Sequence, residues 1–199
     1  EELARSYGYE NIPETRMADS LPPQVGNPVH EWEEHVRDLL VSLGLQEVVS
    51  HRLTSPERES RVVHYDEYVI IANPIAPERS VMRRSLLVSV LESAEKNARA
   101  ESVAMFEIGP IFEPVKNGLP NEPRKLALVM TGLRQTLAWD VKDSPHFDFY
   151  DMKGRIELLL SGLRLSNISY AEADSTDPSL SLRASLHPGK AAEVKVNGQ

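Results

Sequence analysis

Cysteine is absent from this 199-residue chain. Its absence excludes a disulfide framework and any chemistry that needs a thiolate, and it is compatible with a reducing compartment. Long apolar runs are missing as well, because no stretch approaches the ~20 residues of a membrane-spanning helix. The first residues are acidic and polar, unlike a signal peptide. We therefore expect a soluble protein of the cytoplasm.

Positive charge is also scarce. The chain has 22 lysines and arginines against 30 aspartates and glutamates, a formal net charge of −8. A free-standing nucleic-acid binder normally carries a basic patch or stripe, so any RNA contact is expected to be local or made through a partner. The phosphate-loop and nucleophile patterns GxxxxGK[ST], GxGxxG and GxSxG do not occur. The 41% of apolar residues suffices for the core of one domain.

Residues 73–112 are the stretch around which the chain is organised. Ser85 is positioned as the N-cap of an amphipathic helix. After Ser102 the sequence becomes rich in strand formers, which predicts two strands separated by a break at Gly109 and Pro110. The helix is indicated by apolar residues that recur on one face: Leu86, Leu87, Val90, Leu91, Ala94 and Ala98.

Two further helices and several strands complete the expected secondary structure. Asn27 as N-cap, Pro28 at the first position and Gly44 as C-cap predict a helix over residues 27–43. Asp151 is expected to cap a second helix. Short turns join most of the strands. Lys116, Asn117 and Gly118 predict one such turn, which would pair residues 111–115 antiparallel with residues 125–133. We therefore expect an α+β fold with a mainly antiparallel sheet flanked by helices. The predicted strands cover residues 45–53, 68–72, 111–115, 125–133, 168–171, 182–186 and 192–196.

Several stretches, in the same order, resemble the catalytic-like module of the phenylalanyl-tRNA synthetase beta subunit. Each is weak alone, but together they span nearly the whole chain. They are EELARSYGYENIPET, GLQEVVSHRLTSP, NPIAPERSVMRRSLL followed by VAMFEIGPIF, FDFYDMKGRIELLL and ASLHPGKAAEV.

The resemblance implies a class II aminoacyl-tRNA synthetase-like fold and a piece of a longer protein. On this basis residues 1–13 are the tail of a preceding domain, residues 14–26 are a linker, and residues 27–199 are a C-terminally truncated core module. The family's module lacks catalytic residues, and the alpha subunit attaches phenylalanine to tRNA(Phe) with ATP. The resemblance therefore implies a heterotetrameric ligase in which this chain supports the alpha subunit.

The sequence itself also argues against activation chemistry in this chain. A class II site needs a cation for the alpha-phosphate and a nearby acid, both held on rigid strands. Arg83, Arg84 and Glu107 are the residues to test for it. The strand at residues 103–113 contains no arginine, and Pro110 stands where the family often has one. We therefore expect no catalytic residue here.

Two glutamates and four apolar residues are the other candidates for sites. Glu1 and Glu2 resemble the pair that helps to hold magnesium in the family, but the aspartates that complete that site are absent from this chain. No cofactor is therefore expected in the chain itself, although magnesium belongs to the full complex. The first predicted helix offers apolar surface for a core or for a subunit interface, and the sequence leaves that choice open. These interface candidates are Trp32, Val36, Leu39 and Leu40.

Three arginines form a local basic cluster: Arg79, Arg83 and Arg84. They are either ordinary surface charge that balances Glu78 or a contact to an acidic partner or an RNA backbone. His30 and His35 superficially resemble a zinc-protease helix, but their i,i+5 spacing puts them about 140° apart on a helix with ~3.6 residues per turn.

Two other functions remain open at this point. One is a ligand-binding or regulatory domain that has kept a class II-like pocket without ligase activity. The other is an active ligase domain, which would need the missing arginine. Fold resemblance alone does not establish function, so the absent residues weigh more than the shared architecture.

Overall fold

The computed structural model describes residues 1–15, 23, 25–172, 186–187 and 190–197. Within them lie five α-helices, seven β-strands and two single turns of 3-10 helix, Tyr9–Asn11 and Pro77–Arg79. The helices are α1 (Glu2–Tyr7), α2 (Pro28–Ser42), α3 (Pro56–Glu59), α4 (Leu87–Lys96) and α5 (Phe149–Gly162). The strands are β1 (Gln46–Glu47), β2 (Leu53–Thr54), β3 (Val81–Met82), β4 (Ser102–Pro110), β5 (Arg124–Gly132), β6 (Ile168–Glu172) and β7 (Ala192–Val196).

The main sheet has three strands in the order β1-β4-β5. β4 and β5 pair antiparallel along their whole length, from Ser102 opposite Gly132 to Pro110 opposite Arg124, while β1 runs parallel to β4. β2 with β3 and β6 with β7 form two small antiparallel pairs. The α+β fold with a mainly antiparallel sheet is thereby confirmed.

Helices cover both faces of this sheet. Side chains alternate between the two faces along a strand, so β4 presents apolar residues to both. On one face Phe106 of β4 packs with Leu40 of α2 and Leu159 of α5 in a buried cluster. On the other face Val103 and Met105 pack against Ala94 of α4. The core is therefore two thin layers separated by β4 and β5.

The caps of α2 agree with the sequence. Asn27 is the N-cap and its side chain accepts a hydrogen bond from the His30 N–H, with Pro28 in the first turn. Gly44 has φ +82, the left-handed conformation expected of a glycine that follows a helix. Ser85 accepts a hydrogen bond from the Leu87 N–H, although the N-cap residue itself is Leu86.

Other local predictions need correction. β4 continues through Gly109 to Pro110 without a break, and it is β4, not residues 111–115, that pairs with β5. Helix α5 begins one turn earlier than expected, with Asp148 as its N-cap. Asp151 instead completes a capping box, in which its carboxylate accepts the Asp148 N–H. Residues 182–185 of a predicted strand, and most of the predicted linker, lie outside the described residues.

No residue of α1 or of the 3-10 turn that follows it is buried. In the described part of the chain, no helix combines the length and the apolar character needed to cross a membrane.

Candidate functional site: a buried ion pair and an apolar groove

Arg83 and Glu107 meet in the interior of the protein. Arg83 directly follows β3, and Glu107 lies on the face of β4 that is turned towards α4. Each side chain is only 2% exposed, and Arg83 Nη1 lies 2.6 Å from Glu107 Oε1. The sequence places both residues near a class II-like strand, but their chain separation of 24 residues provides no local signal that they pair.

Further hydrogen bonds occupy the rest of this ion pair. Arg83 Nε donates to the Pro110 carbonyl at 3.0 Å, and Arg83 Nη1 also donates to Ser50 Oγ at 2.9 Å. The Ser50 hydroxyl in turn donates to Glu107 Oε2 at 2.6 Å. A Cβ on Gly109 would lie 2.5 Å from Arg83 Nη2, so the glycine makes room for the guanidinium. The network joins three chain segments and leaves this arginine no free face for a phosphate.

The three arginines of the expected basic cluster therefore separate in space. Arg79 lies in the 3-10 turn Pro77–Arg79 and is exposed. Arg84 is half-buried, with its guanidinium 4.5 Å from the Tyr65 ring centre and a hydrogen bond to the Glu67 carbonyl at 3.0 Å. Arg83 is not at the surface at all, because Glu107 neutralises it in the interior. The surface assignment needs correction for Arg83.

Glu59 is a buried carboxylate that the sequence did not single out. It is 1% exposed, and its Oε2 accepts the Arg84 backbone N–H at 3.1 Å. Burial raises the pKa of Glu59, although the N–H groups of Arg84 and Ser85 and the charges of Arg84 and Arg83 act in the opposite direction. An acidic residue in the short polar helix α3 is normally expected to face water, so its burial had no signal in the sequence.

The four interface candidates on α2 divide into two sets. Leu40 is completely buried, and Val36 and Leu39 pack against the same core cluster. Trp32 is 58% exposed. The helix thus contributes to the core with its C-terminal half and presents apolar surface with its N-terminal half.

Trp32 lines an open groove between α2, α5 and the β4-β5 hairpin. The groove has a volume of ≈ 520 Å³. An ion pair between Glu33 of α2 and Arg124 of β5 borders it. The sequence showed the α2 side of this groove but not the contribution of α5 and β5. Its apolar lining includes Val29, Trp32, Ile108, Leu126, Leu160 and Leu163.

Four carboxylates of a type that can hold a metal ion are either paired with an arginine or exposed: Glu1, Glu2, Asp148 and Asp151. Glu2 forms an ion pair with Arg5 at 2.7 Å, and Glu1 is exposed. Asp148 and Asp151 both bind the Arg134 guanidinium, and the Asp148 N–H together with Arg134 lowers the pKa of Asp151. Among the residues that the structure describes, no three His, Cys, Asp or Glu side chains converge on a point that could hold a metal ion. The magnesium role of Glu1 and Glu2 stays a prediction from the resemblance.

Comparisons with a family model and with known sequences point to the same family. A family model described as "Phenylalanyl tRNA synthetase beta chain CLM domain" matches residues 12–199. The phenylalanine–tRNA ligase beta subunit of Vibrio cholerae is 35% identical over an alignment of 204 positions, which covers 100% of this chain and 24% of that protein. The corresponding subunit of Moorella thermoacetica is 36% identical, with 98% of this chain and 24% of that protein covered. The chain thus spans about a quarter of the length of these relatives.

Comparison with solved structures concerns the fold alone. The crystal structure of pyrrolysyl-tRNA synthetase from Desulfitobacterium hafniense superimposes with a TM-score of 0.53 at 16% identity. The match covers 75% of this chain and 52% of that one. A second structure of a synthetase from this organism gives a TM-score of 0.51 at 14% identity, covering 75% and 50%. These neighbours confirm the predicted class II aminoacyl-tRNA synthetase-like fold.

Proposed function

Because the chain belongs to the family of phenylalanyl-tRNA synthetase beta chain CLM domains, we propose that it is a non-catalytic assembly module of phenylalanine–tRNA ligase. In this proposal it supports the alpha subunit, which attaches phenylalanine to tRNA(Phe) with ATP. Residues 1–13 are the tail of a preceding domain, residues 14–26 a linker and residues 27–199 part of the core module. The assembled enzyme works in the cytoplasm.

The observation that carries the proposal is the open apolar groove beside Trp32. A groove of ≈ 520 Å³ lined by side chains from two helices and two strands is unusual on a surface that has no partner. Protein interfaces have such an apolar centre, enriched in aromatic residues, with charged residues at the rim. Trp32 provides the aromatic centre, and the Glu33–Arg124 ion pair provides the rim.

The absence of chemistry in this module is supported by the environment of Arg83. Its guanidinium is committed to Glu107, Ser50 and the Pro110 carbonyl. Stabilising an alpha-phosphate would require an arginine directed at open space. ATP and magnesium accordingly belong to the partner subunit and to the complete ligase. Arg79, which stays exposed, remains the candidate for a contact with an acidic partner or an RNA backbone.

The test is co-purification of this chain with the phenylalanine–tRNA ligase alpha subunit of the same organism, followed by two activity assays. We expect a stable complex, aminoacylation of tRNA(Phe) that depends on the complete ligase, and no phenylalanine-dependent ATP–pyrophosphate exchange by this chain alone. Failure to associate would overturn the assembly role. Exchange activity by the isolated chain would overturn the non-catalytic role.

A further inference from the structure

A second, polar pocket lies on the opposite side of the sheet from the apolar groove. It is bounded by α4, by residues 49–54, by α3 and by the 3-10 turn Pro77–Arg79, and it has a volume of ≈ 270 Å³. One face of α4 lines it with Ser89, Glu92, Ser93 and Lys96, which recur at helical spacing. The apolar groove proposed for assembly does not include this pocket, and of the residues proposed above for a contact with a partner or an RNA only Arg79 lines it.

Positive charge is concentrated there, in contrast to the chain as a whole. Arg58, Arg79 and Lys96 line the pocket, whereas Glu92 is its one acidic residue. Glu92 is already neutralised, because both of its carboxylate oxygens accept hydrogen bonds from the Arg58 guanidinium. Glu78 lies close enough to act on the charge of Arg58, but it does not line the pocket. Two cations remain without an acid inside the pocket, in a chain whose formal net charge is −8.

The two remaining cations are available to a ligand. Arg79 and Lys96 are exposed, and neither has an ion pair or side-chain hydrogen bond among the described residues. They reach the pocket from different elements, Arg79 from the 3-10 turn and Lys96 from the last turn of α4. The hydroxyls of Thr54 and Ser89 and the imidazole of His51 also line it and can donate hydrogen bonds to oxygen atoms.

We propose that this pocket binds a phosphate group, held between Arg79 and Lys96 above the Arg58–Glu92 ion pair. A guanidinium binds two phosphate oxygens at once, while a lysine acts as a compact point charge. A carboxylate ligand would satisfy Arg79 equally well but would leave one cation and the hydroxyl donors without acceptors. The phosphate is either free or part of a polynucleotide backbone. The proposal does not depend on the assembly role.

The experiment measures binding of two probes to the full chain by equilibrium dialysis: radiolabelled inorganic phosphate and a short unstructured single-stranded RNA. The chain is compared with the double variant R79Q/K96Q and with K116Q/K142Q. The second variant loses the same charge at exposed lysines that do not line the pocket. We expect R79Q/K96Q to weaken binding at least about tenfold, in line with the strength of charge-assisted hydrogen bonds, and K116Q/K142Q to change it far less.

The two probes distinguish the sources of the phosphate. Pocket-dependent binding of both probes supports the proposal and indicates a site open to free phosphate, whereas pocket-dependent binding of RNA alone supports it and indicates a polynucleotide. A third variant, Glu92→Gln, frees Arg58 and should tighten binding. Equal affinities of R79Q/K96Q and K116Q/K142Q, or the lack of any binding, overturn the proposal. Co-purification with the alpha subunit is scored separately, so either proposal can fail alone.

Discussion

Arg83 and Glu107 connect three segments of the chain at one buried point. The guanidinium follows β3, the carboxylate belongs to β4, and Ser50 joins them from the segment after β1. A buried ion pair contributes little net stability, because desolvation offsets the attraction. Removing either partner, however, leaves the other charge buried without its counter-charge, which is strongly destabilising. Arrangements that separate the two residues are therefore disfavoured.

Replacing Arg83 with methionine should therefore be severe. Glu107 would remain buried without its counter-charge, which typically costs about 3–5 kcal/mol of unfolding free energy. Urea unfolding followed by circular dichroism measures it. The double replacement R83M/E107L removes both charges and should cost clearly less than Arg83→Met alone. If the double variant is as unstable as the single one, packing and not charge accounts for the effect.

Glu59 should make stability depend on pH. Because burial raises its pKa above the ordinary 4.5, the folded chain keeps this proton to a higher pH than the unfolded chain. The carboxyl therefore favours the folded state below about pH 4.5, and this contribution is lost as the pH rises through the folded pKa. Glu59→Gln keeps an acceptor for the Arg84 N–H but cannot ionise. We expect the stability of the native chain relative to Glu59→Gln to fall as the pH rises above the ordinary 4.5 of a glutamate and through the raised pKa of Glu59.

Glu57 offers a matched control for this experiment on the same short helix. It is exposed, and a hydrogen bond with the Ser55 side chain lowers its pKa. The stability that Glu57 contributes is present above its ordinary pKa and is lost as the pH falls through its folded pKa. The stability of the native chain relative to Glu57→Gln should therefore rise with pH, opposite to the trend for Glu59→Gln. Both trends are measured from the urea unfolding midpoints of the native chain, Glu59→Gln and Glu57→Gln at several pH values. Parallel curves for the native chain and Glu59→Gln would contradict the raised pKa.

Among the elements, the β4-β5 hairpin depends on a close approach at its open end. Gly132 has φ +88, and a Cβ there would lie 2.2 Å from the Glu101 carbonyl oxygen. That oxygen accepts the Leu133 N–H at 2.7 Å, so the backbone cannot move away without losing a hydrogen bond. Gly132→Ala should destabilise the protein by more than the ~1–2 kcal/mol of left-handed backbone strain alone.

Gly154 is the control for that substitution. It lies inside α5, and apart from its two chain neighbours and the backbone of its own helix, no atom lies within 4 Å of the point where a Cβ would stand. Gly154→Ala should stabilise the protein by about 0.5–1 kcal/mol, because alanine loses less backbone entropy in a helix. Thermal unfolding should show opposite shifts, about 2–4 °C per kcal/mol for a protein of this size. Shifts of the same sign would contradict the assignment of strain to Gly132.

The elements that the sequence predicted best are those with local chemical signals. Asn27 and Pro28 start α2 through contacts within one helical turn, and β7 matches its predicted range. The pairing of β4 with β5 was predicted wrongly, because the intervening residues 111–123 bring a more distant segment alongside and no local signal marks this. The burial of Arg83 was also missed because its partner is distant in the sequence. Its neighbours Arg79 and Arg84 suggested a basic surface, while the partner that buries it lies on another strand.

At the scale of the whole molecule, α2 shows why the sequence could not separate core from interface. Trp32 and Leu40 belong to one apolar stripe of the helix, but α5 and β4 cover only its C-terminal half. What covers a stripe is decided by elements more than a hundred residues away, as Leu159 shows. The chain therefore has one apolar groove left open on one side of its sheet and one basic pocket on the other.

The division of α2 predicts that stability and assembly can be changed separately. Trp32→Ser removes exposed apolar surface, so it should change the unfolding free energy by no more than about 0.5 kcal/mol. It should nevertheless reduce co-purification with the alpha subunit, because buried aromatic residues dominate interface energies.

Leu40→Ala should lower stability and leave assembly unchanged. It leaves a cavity between α2, α5 and β4 that costs about 2–5 kcal/mol, while the folded fraction still binds. Both variants are measured by urea unfolding and by co-purification at a temperature where each is folded. If Trp32→Ser associates like the native chain, the groove is not the surface that holds the alpha subunit.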